Sequence, residues 1–223
     1  MTAETASCAC HHETVAGPDP ARRAATKRGL RLQYATVAWN IIEGIIAVSA
    51  ALAAGSVALL GFGVDSFVEC ASALVMIWRL RADRNGDLSP AKLEAVEKRA
   101  RKLIAASLFL LAAYVTFDAA TSLWEKERPQ FSIVGAVLMS LSVLIMLWLA
   151  RAKRLVAQAL NSEAMEADAF QTTACWWLSL TALAGLALNG LFGWWWADPV
   201  AGLVIAGLVA NEGREAWKGR ACC

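Results

Sequence analysis

An all-α integral membrane bundle of six transmembrane helices is the fold class this sequence predicts, and three observations predict it. Hydrophobic residues fill 58% of the 223 positions and mean hydropathy is +0.47, above the roughly 45 to 50% apolar content of soluble domains. Six apolar runs of about 20 residues, each enough to cross roughly 30 Å of hydrocarbon as a helix, recur along the chain. The basic residues are confined almost entirely to alternate connections between those runs.

The first two runs cover about 32–54 and 56–79, joined by Ala53-Ala54-Gly55-Ser56. Gly55 permits a tight turn there and Ser56 can cap the second helix. The third run, 103–124, is preceded by Ser89-Pro90 and the charged amphipathic stretch Ala91 to Lys102, which should extend it out of the membrane as one helix. The fourth covers about 131–150 and the fifth about 167–190. The sixth, 199–217, opens on Asp198-Pro199, read as an N-cap followed by proline at the first helical position. None of the runs has an interior proline.

With the N-terminus inside, 19 of the 21 lysines and arginines fall on cytoplasmic segments, leaving only Lys126 and Arg128 outside. Under the positive-inside rule both termini are then cytoplasmic, and Trp124 with Trp194, Trp195 and Trp196 lie at the outer interface that indole rings favour. Residues 1–30 are polar, contain Pro18 and Pro20 and lack the apolar core of a secretory signal, so they read as a flexible cytoplasmic tail. The six-helix transmembrane domain is then 31–217, and 218–223 is a short tail too small for a soluble C-terminal domain. A bacterial cytoplasmic (inner) membrane is the expected location.

Function is written in the groups that interrupt the apolar runs. Asp65 and Glu69 lie four apart in the second, and Gln171 and Cys175 four apart in the fifth, so each pair stacks on one helical face. A charged residue at mid-bilayer costs roughly 2.5 to 3.5 kcal/mol on insertion scales, and such groups are functional by default. The two helices are antiparallel, so Asp65 would face Cys175 at one level and Glu69 would face Gln171 at the other. Two carboxylates, an amide oxygen and a thiol could enclose a divalent ion tetrahedrally, and Zn²⁺ or Cd²⁺ suits that donor set.

The runs Gly55-Ser56-Val57-Ala58-Leu59-Leu60 through Glu69, Ala167-Asp168-Ala169-Phe170-Gln171 through Cys175, and Trp196-Ala197-Asp198-Pro199 resemble the cation diffusion facilitator, or cation efflux, family over about residues 30 to 217. The resemblance implies six membrane helices that exchange divalent metal for protons, with metal ligands paired four apart on the second and fifth helices. Asp65 and Glu69 fall on the second-helix pair, where the family usually has His or Asp followed by Asp. Gln171 and Cys175 replace the fifth-helix His and Asp, and the family's soluble C-terminal domain, often its dimer contact, is not expected here. A homodimer would have to use another surface, such as the small-residue ridge Gly202, Ala206 and Ala210.

Other polar groups carry two readings each. Glu43, near Asn40 in the first span, could supply a further carboxylate or merely bond a neighbouring helix. Asp118 could line an exit path or be a hydrated interfacial group. Asp168 could lie in a cytoplasmic entrance or cap a helix. Cys8, Cys10, His11 and His12, with Cys222 and Cys223 on the same side, form a soft-ligand group that could capture metal; the alternative is an unstructured tail with incidental cysteines. Cys70 turns about 100° from Glu69 and reads as packing.

Asp65 and Glu69 carry two negative charges that one divalent cation or two protons would neutralise, so exchange never leaves a bare dianion in hydrocarbon. A proton-coupled exporter of a Zn- or Cd-like ion is the leading expectation. A non-transporting membrane metal-binding or regulatory protein is the second, and an organic-cation transporter the third. No nucleophile triad, phosphate loop or nucleic-acid motif is present, so neither an enzyme nor a nucleic-acid partner is expected, and no prosthetic group. The partners are the lipid bilayer, divalent metal ions and protons.

Overall fold

A computed structural model describes residues 20–54, 57–85, 89–126 and 133–219. They form six helices, α1 Pro20–Ala54, α2 Val57–Asn85, α3 Pro90–Glu125, α4 Ile133–Leu160, α5 Glu163–Phe192 and α6 Ala197–Lys218, with no strand among the described residues. The chain is thus the all-helical membrane bundle that its hydropathy predicts. Among the described residues α3, α4 and α5 are each long and apolar enough to cross a membrane on that ground alone. Gly55, Ser56, Cys8, Cys10, His11, His12, Cys222 and Cys223 lie outside the described residues.

The helices overrun their apolar segments at one end. The α1 helix begins at Pro20, inside the stretch read as tail, α2 continues to Asn85 and α4 to Leu160. Hydropathy stops at the first cluster of charges, but the backbone ladder does not, because those charges find partners. Arg22 and Arg79 both reach Asp83, at 3.3 and 3.5 Å, and Thr26 donates to it at 3.2 Å. At the other end the surface is aromatic: Phe192, Trp194 and Trp196 form a run of ring contacts with centroids 5.6 and 5.9 Å apart, and Trp124, in the last turn of α3, is exposed.

Two short connections fix neighbours. Asn161 takes the left-handed conformation (φ 48°) and Ser162 caps α5 by accepting from Met165 N at 3.1 Å, so α4 and α5 run antiparallel side by side. Gly193, at φ 70°, closes α5. The opening of α6 differs from the sequence reading. Trp196 occupies the cap position without a side-chain bond, and Asp198 lies in the first turn, packed so closely on Gly185 that a Cβ there would stand 2.5 Å from that of Asp198. Its carboxylate still suits the positive end of the helix dipole.

Helices α2 and α5 touch at the centre, with α1 against α2, α4 against α5, and α3 and α6 packed on each other and on α5. One apolar cluster, including Met76, Leu80, Ile104, Leu149 and Met165, fills the charged end. A second, including Val68, Leu111, Val115, Ile205 and Val209, fills the aromatic end. The small-residue ridge of α6 is used inside the chain: Gly202 faces Val115 and Ala119 of α3, and Ala206 is buried in the second cluster. It is therefore not a free dimer surface.

Candidate cation site

Between the two apolar clusters the α2–α5 seam is polar. Its contacts step down one helix as they step up the other. Cys175 Sγ donates to Asp65 Oδ1 at 3.5 Å, Gln171 Nε2 to the Val68 carbonyl at 3.4 Å, Thr172 Oγ1 to Glu69 Oε1 at 2.7 Å, and Ser72 Oγ to Asp168 Oδ1 at 2.9 Å. Positions 65, 69 and 72 make one stripe of α2, and 168, 172 and 175 make the facing stripe of α5. Asp65, Glu69, Gln171 and Cys175 are all buried.

The Asp65–Cys175 pairing expected from antiparallel register is present. The Glu69–Gln171 pairing is not: Gln171 turns toward Ser107 of α3, which donates to its Oε1 at 2.8 Å, and Glu69 meets Thr172 instead. Residues 171 and 172 flank the helical line through 175 by similar angles, so spacing alone could not choose between them.

Glu43 joins from α1, accepting from Ser66 Oγ at 3.2 Å. Three buried acceptor oxygens in this region make no hydrogen bond of ordinary length, Glu69 Oε2, Glu43 Oε1 and Asn40 Oδ1, with the Asn40 side chain near Glu69 and the Ser142 hydroxyl near Glu43. A buried oxygen without a donor is costly, and such atoms are where a bound cation, proton or water is to be sought. Among the described residues no three His, Cys, Asp or Glu side chains stand close enough together to hold a metal ion at once. The residues that fit a cation are thus adjacent rather than assembled, with Gln171 engaged by Ser107 and Val68. Cys70 bonds the Val37 carbonyl at 3.8 Å, as a packing cysteine does.

Asp168 does not cap a helix. The cap of α5 is Ser162, and Asp168 is fully buried, paired with Lys153 at 3.0 Å and accepting from Gln33 Nε2 at 2.6 Å and Ser72 at 2.9 Å. That pair draws α1, α2, α4 and α5 together. Lys153, one of the basic residues of the cytoplasmic segments, has 0% exposure and also donates to Thr172 Oγ1 at 2.9 Å. Arg79, at 3% exposure, likewise turns inward to Glu97. The missed signal was periodicity: Lys153 stands three and four positions from buried Ala150, Leu149, Val156 and Ala157, on the apolar face of α4.

The fold and this seam define a helical membrane protein with ionisable side chains sunk in its centre. The cation efflux transmembrane domain matches residues 34–219, and the chain belongs to that family. It is also similar to the cation-efflux pump FieF of Shewanella oneidensis, 26% identical over 184 residues, or 80% of this chain. The matched stretch spans 60% of that relative's length.

Proposed function

We propose that this chain carries a divalent transition-metal cation of the Zn²⁺ or Cd²⁺ type out of the cytoplasm in exchange for protons, by alternating access to the α2–α5 seam. The observation that carries the reading is the contact of Cys175 with Asp65, one turn from Glu69 and its oxygen that makes no hydrogen bond of ordinary length, in the buried middle of a cation efflux domain. Thiol sulfur beside carboxylate oxygen favours thiophilic ions. Cations and protons compete for the same oxygens, so occupancy by one releases the other.

Asp65, Glu69 and Cys175 supply the donors, Gln171 joins when it leaves Ser107, and Glu43 offers a further oxygen from α1. Both termini face the cytoplasm of a bacterial inner membrane in this reading, which puts the charged end inside. There Glu97 of α3 accepts from Ser162 Oγ at 2.7 Å and from Ala164 N at 3.0 Å while pairing with Arg79 at 2.5 Å. That set of contacts closes the inner end of the seam, so cytoplasmic access requires α5 to part from α3.

Purified protein in sealed vesicles, with a metal-sensitive dye inside and an imposed pH gradient, tests the proposal. Metal uptake should follow the proton gradient and collapse with a proton ionophore. Metal binding without metal-dependent proton movement would replace the exporter with a binding or regulatory protein, and no role for metal at all would point to an organic cation.

A further inference from the structure

The pairing of residues in the α2–α5 seam leaves Lys153 unexplained. It comes from α4, outside the paired positions of α2 and α5, and it is fully buried with two partners, Asp168 Oδ2 at 3.0 Å and Thr172 Oγ1 at 2.9 Å. A buried ion pair is a poor source of stability, since apolar residues of similar volume often do as well. What such a pair supplies is direction, and here the direction leads to Glu69.

A threonine hydroxyl has one hydrogen to give and lone pairs to receive. Lys153 donates into the oxygen of Thr172, so that hydroxyl must spend its single hydrogen elsewhere. Two acceptors compete for it: Glu69 Oε1 at 2.7 Å and the Asp168 carbonyl at 3.3 Å. The shorter contact, to a carboxylate, is the stronger. Glu69 is thereby fastened by Oε1, and its other oxygen, Oε2, is left buried without a hydrogen bond of ordinary length. Asp168 holds the lysine in place, and is itself held by Gln33 of α1 and Ser72 of α2.

We infer that Lys153 is a positioning residue of the cation site, acting through Thr172 to present Glu69 as a one-oxygen ligand. The inference rests on the reading of Glu69 as a cation ligand. A carboxylate fastened by one oxygen suits a small, four-coordinate transition ion. A carboxylate free to use both oxygens suits Ca²⁺, which takes six to eight oxygens and accepts bidentate carboxylates.

The test uses the full chain in vesicles, with Zn²⁺ and Ca²⁺ as probes, and reads half-saturating concentration separately from maximal rate. Thr172→Val should raise the half-saturating Zn²⁺ about tenfold, the size of one lost bond to a charged group, and narrow the preference for Zn²⁺ over Ca²⁺, with maximal rate held within about twofold. Thr172→Ser, which keeps the hydroxyl, should recover most of the loss. The charge-balanced pair Lys153→Met with Asp168→Asn should match Thr172→Val, and combining all three substitutions should cost no more than Thr172→Val alone. Multiplying effects in the triple variant, or an unchanged Zn²⁺ half-saturation and Zn²⁺/Ca²⁺ ratio in Thr172→Val, would overturn the inference; the latter stands even if the paired variant does not fold. Glu69→Gln separates the two levels. If it abolishes Zn²⁺ uptake while Thr172→Val behaves as the parent, only the positioning role fails; if it changes nothing, the cation-site reading fails and takes the inference with it.

Discussion

The thiol of Cys175 donates to Oδ1 of Asp65 across 3.5 Å, joining the middle of α5 to α2 where each is buried. In the proposed cation site, sulfur and oxygen so placed are a mixed donor pair whose softer half would set which ions bind well. Cys175→Asp should therefore shift preference away from Cd²⁺ toward harder ions such as Mn²⁺. Competition calorimetry on the purified protein measures this, and unchanged relative affinities would remove Cys175 from the binding set.

Asp65→Asn and Glu69→Gln keep shape while removing charge. Each should lower cation uptake about 100-fold, corresponding to roughly 3 kcal/mol for a lost contact to a charged ligand. Stability should hold or rise, since Glu69 Oε2 has no hydrogen bond of ordinary length to lose. Glu43→Gln should cost less, about tenfold, because Glu43 lies on α1 and has Ser66 for one oxygen. Parallel dye uptake and thermal unfolding in detergent distinguish these outcomes from misfolding.

Much of this arrangement is legible in the sequence, and what is not has a physical reason. Six helices follow from apolar runs, and the Asp65–Cys175 contact follows from four-residue spacing on antiparallel helices. The ends of α1, α2 and α4 escape hydropathy because charges such as Arg22, Arg79 and Asp83 satisfy one another and let the helix continue. Lys153 escapes because it is flanked by Arg151 and Arg154, whose exposure it does not share. Thr172 escapes because a hydroxyl in an apolar run carries no charge to mark it, although it is Thr172, not Gln171, that reaches Glu69.

The α1–α2 contact that carries Glu43 is tight at Gly63, whereas a Cβ at Gly44 would make only ordinary van der Waals contacts. A Cβ on Gly63 would stand 2.8 Å from Val48 Cγ2, and one on Gly44 would stand 3.6 Å from Ser66 Cβ and 3.7 Å from the Gly63 carbonyl. Gly63→Ala should destabilise by roughly 1 to 3 kcal/mol through overpacking. Val48→Ala in the same chain should return most of that loss, because it removes the group that the new methyl meets. Unfolding midpoints of the single and double variants decide it, and additive losses would mean that α1 and α2 are held apart by something other than this contact.

Glu97 holds the charged end of the seam in a way that its two oxygens make separable. Oε1 serves the start of α5, accepting from Ser162 Oγ and Ala164 N, while Oε2 pairs with Arg79 of α2. Ser162 in turn caps α5 through Met165 N, so the carboxylate steadies both the cap and the helix it caps. Glu97→Ala removes both functions and leaves Arg79, at 3% exposure, with only the longer 3.5 Å contact to Asp83. Stranding a buried charge in this way costs about 3 kcal/mol. Glu97→Gln retains an oxygen for Ser162 and Ala164 but not the full charge for Arg79, so it should lose less than the alanine variant. If this end of the seam opens for cytoplasmic access, the two variants should also differ in labelling: a cysteine placed at Ala164 should react with a membrane-impermeant maleimide fastest in Glu97→Ala, more slowly in Glu97→Gln and slowest in the parent. Equal labelling rates with the same ranking of stabilities would make Glu97 a fastener of the fold and not a part of the gate.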